Sequence, residues 1–230
     1  MSPPRVTTNP EVRWLGVVTY PSALALQEAL IPEALSGREC LLLLEHEPVY
    51  TIGRTRDRSS LRDAEHLPHP VVETNRGGQA TFHGPGQLVG YPILHLGRRG
   101  RDIHRYLRFL EETLIHTCKG FGLSAQRREA LTGVWIRDRK IASLGVGLRK
   151  WVSMHGFAIN VCNPLADFEN ITPCGIQNVT MTSLEKETGR KISTRDFADQ
   201  FTRVFLEMLD DPHSGIPNSG ETANRNPDSE

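Results

Sequence analysis

Apolar positions along the chain follow two periods, one typical of strands and one typical of helices. Short apolar runs at residues 12–18 and 40–44 predict β-strands, and the stretch between them, residues 22–35, has helical spacing. Proline cannot donate the helical hydrogen bond, so we expect Pro32 to break or kink this helix. Further strands are predicted at residues 71–74, 88–91, 133–137, 141–148 and 152–161.

Two longer helices are predicted in the rest of the chain. One spans residues 102–119, with its apolar side chains on one stripe and Gly120 placed to end it. The other spans residues 194–209 and is opened by the capping pair Ser193 and Asp196. Strands and helices do not alternate regularly, so the pattern predicts an α/β (α+β) fold with a mixed sheet. We expect a single domain at 11–210, a flexible N-terminus at 1–10 and a disordered tail at 211–230.

Composition narrows the classes of partner. The 230 residues include 27 basic and 27 acidic side chains, so there is no overall positive field to hold nucleic acid or an anionic membrane. No apolar run approaches the roughly 20 residues of a membrane span, and the first residues lack a signal core. The four cysteines lack the spacing of a zinc site or a disulfide framework, which predicts reduced thiols in a cytoplasm. One local basic cluster either faces an acidic protein or is a solvated helix face: Arg98, Arg99, Arg101, Arg105 and Arg108.

Residues 76–87 carry more chemistry than a turn requires. They hold four glycines, a proline, an arginine and a histidine between two predicted strands. A plain hairpin from residues 71–74 to 88–91 would need only Gly77 and Gly78, because glycine supplies the positive φ of such turns. Arg76, His83 and the Gly-Pro-Gly that follows are left unexplained by a hairpin. We therefore predict a substrate-binding loop here.

Cys174 is the cysteine best placed for chemistry. It follows a proline and precedes a glycine, as in an exposed loop, whereas the other three cysteines lie in apolar surroundings. A thiol with an ordinary pKa near ~8.5 needs a cationic or basic neighbour to become a nucleophile. Lys140 and His83 are candidates, but a turn lysine is commonly a solvated charge, and His83 and His155 could both be structural. From these residues alone, the predicted reaction is only a cysteine-dependent acyl transfer or hydrolysis.

Three longer segments together resemble the lipoyl(octanoyl) transferases. They are residues 76–92, residues 140–146 together with 153–161, and residues 171–175. The resemblance runs from about residue 12 to 209, and residues 44–54 resemble the first loop of that family after a buried strand. It implies the biotin/lipoate protein ligase-like fold, a mixed sheet flanked by helices. The implied reaction needs neither ATP nor a cofactor, since the octanoyl group arrives on the phosphopantetheine of acyl carrier protein.

The resemblance also implies roles for individual residues. Cys174 would accept the octanoyl group as a thioester and pass it to a lysine of a lipoyl domain, in the E2 subunits of 2-oxoacid dehydrogenases or in the glycine cleavage H protein. Lys140 would be its partner, favouring the thiolate as an ammonium and taking a proton when neutral. Ile176 and residues 56–70 depart from the family pattern, which leaves acceptor preference open. The implied substrate-binding residues are Arg76, Gly77, Gly78, Gln79, Ala80, Thr81, Phe82, His83, Ser143, Leu144, Gly145, Gly156, Phe157 and Ala158.

Three other interpretations compete with this one. An ATP-dependent lipoate or biotin protein ligase on the same fold would activate a free acid and would not need Cys174. An octanoyl amidotransferase would draw its acyl group from one lipoyl domain and give it to another. A non-catalytic acyl-binding module would keep the loop at residues 76–87 but would not need both Cys174 and Lys140.

Overall fold

The computed structural model describes residues 9–54, 58–62, 66–172, 179–211 and 213–216. Most of the N-terminal and C-terminal segments predicted to be flexible or disordered lie outside these ranges. The predicted nucleophile, Cys174, and the departing residue Ile176 also lie outside them.

The described residues form strands, helices and short 3₁₀ turns that follow one another in mixed order. The strands are β1 (Glu11–Val18), β2 (Cys40–His46), β3 (Val49–Ile52), β4 (Val71–Glu73), β5 (Thr81–His83), β6 (Gln87–Ile93), β7 (Gln126–Arg128), β8 (Leu131–Ile136), β9 (Arg139–Arg149), β10 (Val152–Asn160) and β11 (Thr180–Met181). The helices are α1 (Tyr20–Ser36), α2 (Ile103–Gly120), α3 (Leu184–Thr188) and α4 (Thr194–Asp210).

A large mixed sheet organises the molecule. Its strand order is β1-β2-β6-β10-β9-β8-β7, and β11 adds to β9 outside this path. The β1–β2 and β9–β11 pairs are parallel, whereas β2–β6, β6–β10, β10–β9, β9–β8 and β8–β7 are antiparallel. A second, three-stranded sheet has the order β4-β3-β5. The predicted mixed sheet is therefore confirmed.

Helices cover both faces of the large sheet. On one face, α2 and α4 pack together over a core that contains Phe157 of β10 and the α4 residues Phe197, Phe201 and Phe205. The capping box predicted for α4 is present, because the Ser193 side chain accepts from the N–H of Asp196 and the Asp196 carboxylate accepts from that of Ser193. On the opposite face, α1 packs on β2, β6 and β10. Within the described ranges, no helix has both the length and the apolar content to span a bilayer.

Helix α1 runs through its proline. Of the break or kink expected at Pro32, the break is wrong, since the helix continues to Ser36. Proline removes one helical hydrogen bond, but Leu30, Ile31 and Ala34 around it are buried against the sheet. Tertiary packing of this apolar face outweighs the local cost of the proline.

A further expectation needs correction. Residues 49–52, interpreted as part of a loop, form β3, which lies between β4 and β5 in the small sheet and whose residues are all buried. The plain hairpin, which the sequence argued against, is excluded, because β4 pairs with β3 in the small sheet whereas β6 lies in the large one. The segment between them therefore crosses from one sheet to the other.

The basic cluster of the sequence is not one surface. Arg99 is buried and donates to Glu39 at 2.5 Å, and the Arg108 guanidinium binds Glu111 at 2.6 Å. Arg105 is largely exposed. Arg99 and Arg108 are thus bound by carboxylates of the protein itself, so the five arginines do not form a single free basic face.

Candidate active site

A cavity lies between the large sheet, the small sheet and the start of α1. Its space measures about 420 Å³, including the open mouth. Strands β9 and β10 supply its floor, and the loop between β4 and β5 supplies one wall. The lining residues are Tyr20, Arg76, Gly78, Thr81, His83, Tyr91, Ser143, Leu144, Gly145, His155, Gly156, Phe157 and Ala158.

The buried side chain of Arg76 stabilises the loop that forms that wall. Its side chain is 7% exposed, and its guanidinium donates to the Thr51 carbonyl and hydroxyl, both at 2.8 Å. It also donates to the carbonyls of Gln79 at 2.8 Å and Gly77 at 2.9 Å. Charge-assisted hydrogen bonds of this kind are stronger than neutral ones. Arg76 therefore ties the loop to β3.

The loop lies directly on β9. The Gly77 N–H donates to the Val146 carbonyl at 2.8 Å. A Cβ atom on Gly145 would stand 2.8 Å from the Gly77 oxygen, closer than real Cβ contacts allow. Gly145 is thus glycine because loop backbone occupies the space that a side chain would need. Gly156, its neighbour across the β9–β10 ladder, continues this flat floor.

One end of the cavity is polar but uncharged. His155 Nε2 lies 2.6 Å from the Asn75 Oδ1 oxygen and donates to it, so Nδ1 accepts from the Tyr20 hydroxyl at 3.3 Å. His46, behind this wall, donates from Nδ1 to the Val18 carbonyl at 3.0 Å and accepts on Nε2 from Tyr91 at 2.8 Å.

Burial keeps these groups neutral. It lowers the pKa of both His46 and His155 to about 4, and Arg76 adds to the effect at His155. Burial raises the pKa of Tyr20 to about 12. His155 also holds a left-handed backbone, φ 57°, within a strand, with its N–H donating to Gln27 of α1 at 2.7 Å. Such strain persists only where the surroundings impose it.

His83 is held in the same manner. Its Nδ1 lies 2.8 Å from the Gln87 side-chain oxygen and donates to it, which leaves Nε2 to accept from Thr51 at 3.3 Å. Burial, with the neighbouring His46 and Arg76, places the pKa of His83 well below its usual value. Both ring nitrogens are engaged in fixed hydrogen bonds, which favours the structural interpretation of this histidine over that of a general base.

Lys140 is buried, so the interpretation as a solvated turn charge is wrong. Its side chain has no exposed surface. Nζ donates to the Thr132 carbonyl at 3.2 Å and lies 5.6 Å from the centre of the Trp135 ring, within range of a cation–π contact. A fully buried lysine is rare unless it is partnered. Its burial on β9, a strand of the cavity floor, makes it a candidate functional group.

The described residues that follow the Cys174 segment pair with this lysine, whereas those that precede it bond elsewhere. Before the segment, the Thr172 N–H donates to the Ser60 carbonyl at 2.7 Å. After it, β11 places Met181 opposite Lys140, and the Thr182 N–H donates to the Lys140 carbonyl at 2.9 Å. The strand that pairs with Lys140 therefore begins six residues after Cys174 in the sequence.

An open groove adjoins the cavity on the α2 side. It shares Gly78, Leu144 and Gly145 with the cavity and measures about 1040 Å³, including the solvent at its mouth. Thr132, whose carbonyl accepts from Lys140, also lines it. The remaining lining residues are Arg54, Gly77, Ile103, His104, Leu107, Ala130, Leu131 and Val146.

Most of the predicted substrate-binding residues meet at the cavity, and four lie elsewhere. Gly77 lines the groove, and Gln79 offers its carbonyl to Arg76. Ala80 and Phe82 point into a separate apolar cluster behind the small sheet, where Phe82 packs against Phe168. The binding roles of all these residues stay predictions.

Sequence reasoning missed part of the cavity wall. Tyr20 and Tyr91 line it, and Asn75 fixes His155, yet none of the three was predicted as a site residue. Tyr91 lies inside the segment that resembles the transferases, which could have drawn attention to it. Tyr20 offers no such signal, because a tyrosine at the start of an apolar helix is commonly part of the core.

The fold defines the class of protein. Lipoate-protein ligase A bound with ATP superposes on 87% of this chain and 85% of its own with a TM-score of 0.74 at 16% identity. Biotin protein ligase from Aquifex aeolicus in complex with biotin and ATP covers 86% of this chain and 69% of its own, with a TM-score of 0.54 at 13% identity. The expected biotin/lipoate protein ligase-like fold is confirmed.

Sequence comparison identifies the family within this class. A family model of the lipoyl protein ligase A/B catalytic domain matches residues 19–206. The octanoyltransferase of Geobacter sulfurreducens is 54% identical over 184 residues, 79% of this chain and 77% of that protein. The octanoyltransferase of Rubrobacter xylanophilus is 47% identical over 207 residues, 86% of this chain and 93% of that protein. The chain belongs to the lipoyl protein ligase A/B catalytic-domain family, and its resemblance to the octanoyltransferases is confirmed.

Proposed function

We propose that this protein is an acyltransferase that moves an octanoyl group from acyl carrier protein to a lysine of lipoyl domains. The Cys174 thiolate attacks the carbonyl carbon of the carrier thioester, and the phosphopantetheine thiol leaves with a proton. The amine of the acceptor lysine then attacks the new thioester, an amide forms, and the Cys174 thiolate is released. Each step exchanges one acyl bond for another, so no nucleotide or cofactor is required.

The observation that carries the proposal is the position of Lys140. Its amine is fully buried, and its backbone pairs with the strand that leads out of the Cys174 segment. An ammonium next to a thiol favours the thiolate, which is the nucleophilic form. In its neutral form the same amine can take the proton from the attacking lysine of the acceptor.

The cavity and the groove support a binding mode in which each holds a different part of the substrate. The octanoyl chain lies in the cavity, where the floor of β9 and β10 is flat and the end that His155 and Tyr20 form is uncharged. The phosphopantetheine arm lies in the groove, which meets the cavity at Gly78 and Gly145.

Partners and location complete the proposal. The acceptors are lipoyl domains of 2-oxoacid dehydrogenase E2 subunits and the glycine cleavage H protein. A reducing cytoplasm suits the described cysteines, since Cys40, Cys118 and Cys162 are all free thiols. Burial raises the pKa of Cys118 to about 12 and that of Cys40 to about 11, which leaves both unreactive at neutral pH.

The test is intact mass spectrometry after incubation with octanoyl-acyl carrier protein and no nucleotide. We expect one octanoyl adduct, absent from Cys174→Ser, and transfer of the group to an added lipoyl domain. The matched control is Cys162→Ser, which removes an exposed thiol elsewhere and should keep the adduct. Persistence of the adduct in Cys174→Ser would refute the assignment of the nucleophile.

The same experiment separates the competing interpretations. Product from free octanoate that requires ATP and magnesium would identify a ligase. Transfer only from an octanoylated lipoyl domain would identify an amidotransferase. Inactivity with every donor would support a non-catalytic acyl-binding module.

A further inference from the structure

A buried carboxylate lies one peptide unit away from the Lys140 amine. Glu111 of α2 has no exposed surface. Its Oε1 accepts from the Gly133 N–H at 2.9 Å, and its Oε2 binds the guanidinium groups of Arg108 at 2.6 Å and Arg127 at 3.1 Å. A buried charge requires such partners, because desolvation of an unpaired carboxylate is costly.

The Gly133 N–H and the Thr132 carbonyl belong to the same peptide group. Glu111 accepts from one side of this planar unit, and the Lys140 ammonium donates to the other side at 3.2 Å. A carboxylate that binds the N–H polarises the amide and makes its carbonyl oxygen a better acceptor, since hydrogen bonds in a chain strengthen one another. The peptide group thus connects two opposite charges without direct contact between them.

Packing leaves little other space for the lysine. A Cβ atom on Gly133 would stand 2.7 Å from Lys140 Cε and 2.8 Å from the Ala142 oxygen. Gly133 also has a φ of 138°, which other residues rarely adopt. The lysine side chain therefore runs against the backbone that Glu111 holds.

We propose that Glu111 is a positioning residue for acyl transfer, which holds the Thr132–Gly133 peptide so that its carbonyl fixes the Lys140 amine. Arg108 and Arg127 in turn hold the Glu111 carboxylate from the protein surface. This inference rests on the proposed function, in which Lys140 stabilises the Cys174 thiolate. A merely structural Glu111 would tie α2 to β8 and leave the thiolate unaffected.

The test compares two substitutions that remove the same charge. Glu111→Gln keeps an oxygen for the Gly133 N–H, because Arg108 and Arg127, 52% and 33% exposed, can turn to solvent whereas the buried peptide cannot. Glu111→Met has similar volume and no acceptor. The matched control is Glu112→Met, since Glu112 binds Arg127 from the next position of α2 but does not contact the peptide.

The readout is the pH midpoint of Cys174 alkylation by iodoacetamide, followed by peptide mass spectrometry. Loss of a neighbouring cation in Lys140→Met should raise this midpoint by about one pH unit or more. Glu111→Met should raise it by at least about half a unit, because the lysine remains but is no longer held. Glu111→Gln and Glu112→Met should stay near the wild-type midpoint.

A double variant tests whether Glu111 acts through the lysine. In Lys140→Met, the further change Glu111→Met should add no shift. An additional shift there, an unshifted midpoint in folded Glu111→Met, or an equal shift in Glu112→Met would overturn the inference. An unshifted midpoint in Lys140→Met would instead refute the proposed role of Lys140, so the two failures differ.

A separate measurement controls for loss of stability in the Glu111 variants. Glu111→Met leaves two guanidinium groups without their partner and is expected to lower the thermal midpoint. If it does not fold, the triple variant Glu111→Met with Arg108→Gln and Arg127→Gln removes those charges as well. The same upward shift of the alkylation midpoint is expected from that variant, and a wild-type midpoint would overturn the inference.

Discussion

Gly145→Ala tests whether the loop at residues 76–79 must lie flat on β9 for acylation. The added methyl carbon would stand 2.8 Å from the Gly77 oxygen and 3.2 Å from Arg76 Cδ. The Gly77 oxygen cannot retreat freely, because the Gly77 N–H is hydrogen-bonded to Val146 and Arg76 is bonded to β3. Overpacking of this kind costs about 1–3 kcal/mol.

That strain must appear either in activity or in stability. If the loop shifts away from its productive position, the rate of Cys174 acylation should fall by roughly 5- to 160-fold, since about 1.4 kcal/mol corresponds to a factor of ten. If the loop stays and the fold carries the strain, the thermal midpoint should fall by about 2–4 °C per kcal/mol for a domain of this size.

The assay is single-turnover formation of the octanoyl adduct, together with calorimetry of the same samples. Gly77→Ala is the matched control at the other side of the contact, where the nearest atom to the new Cβ, the Val146 oxygen, is 3.5 Å away. Because Gly77 lines the groove, its readout as a control is stability: the thermal midpoint should stay near the wild-type value, since this is ordinary van der Waals distance. Gly145→Ala with normal rate and normal stability would refute the reasoning, as would an equal loss of stability in both variants.

Two further predictions concern buried charges and buried histidines. His46 and His155 have a folded pKa of about 4 against an ordinary 6.5, so each should contribute roughly 3 kcal/mol that is present above about pH 6.5 and is lost as the pH falls towards 4. Urea denaturation across this range should show the loss, and His155→Gln should make the dependence shallower; an unchanged slope would contradict it. Arg99→Met, which leaves the Glu39 carboxylate buried without its partner, should cost about 3–5 kcal/mol. The exposed Arg105→Met should change the free energy of unfolding by less than about 0.5 kcal/mol, and similar values for the two would be a contradiction.

Sequence alone predicted the regular elements where local signals agree with packing. Helix α4 has both a capping box and a stripe of phenylalanines, and both are present in the structure. Local rules failed at Pro32, where burial of the helix face outweighs proline, and at β3, a four-residue strand whose partners lie far along the chain. Pairing between strands this far apart in the sequence depends on how the two sheets pack together, and the local sequence pattern does not contain that information.

The candidate site likewise has parts that the sequence predicted and parts that it could not predict. Segment resemblance predicted most of the residues that meet at the cavity, because those segments follow one another on neighbouring strands. It could not predict that Arg76 turns inward to hold its own loop, since arginine side chains are mostly exposed. Nor could it separate Thr81 and His83, which line the cavity, from Ala80 and Phe82, since that depends on which face of β5 meets the large sheet.

The hydrogen bonds of the cavity wall explain why a polar lining can accept an uncharged acyl chain. The donors of His155 and His83 are engaged by Asn75 and Gln87, and the hydroxyls of Tyr20 and Thr51 donate to these same rings. Both histidines are neutral at pH 7, because burial lowers the pKa of each. These paired groups impose little desolvation cost on an entering chain, whereas an unpaired donor or acceptor would. The same cavity should disfavour acyl groups that carry a positively charged end, because the Arg76 guanidinium is part of its lining and both histidines are neutral.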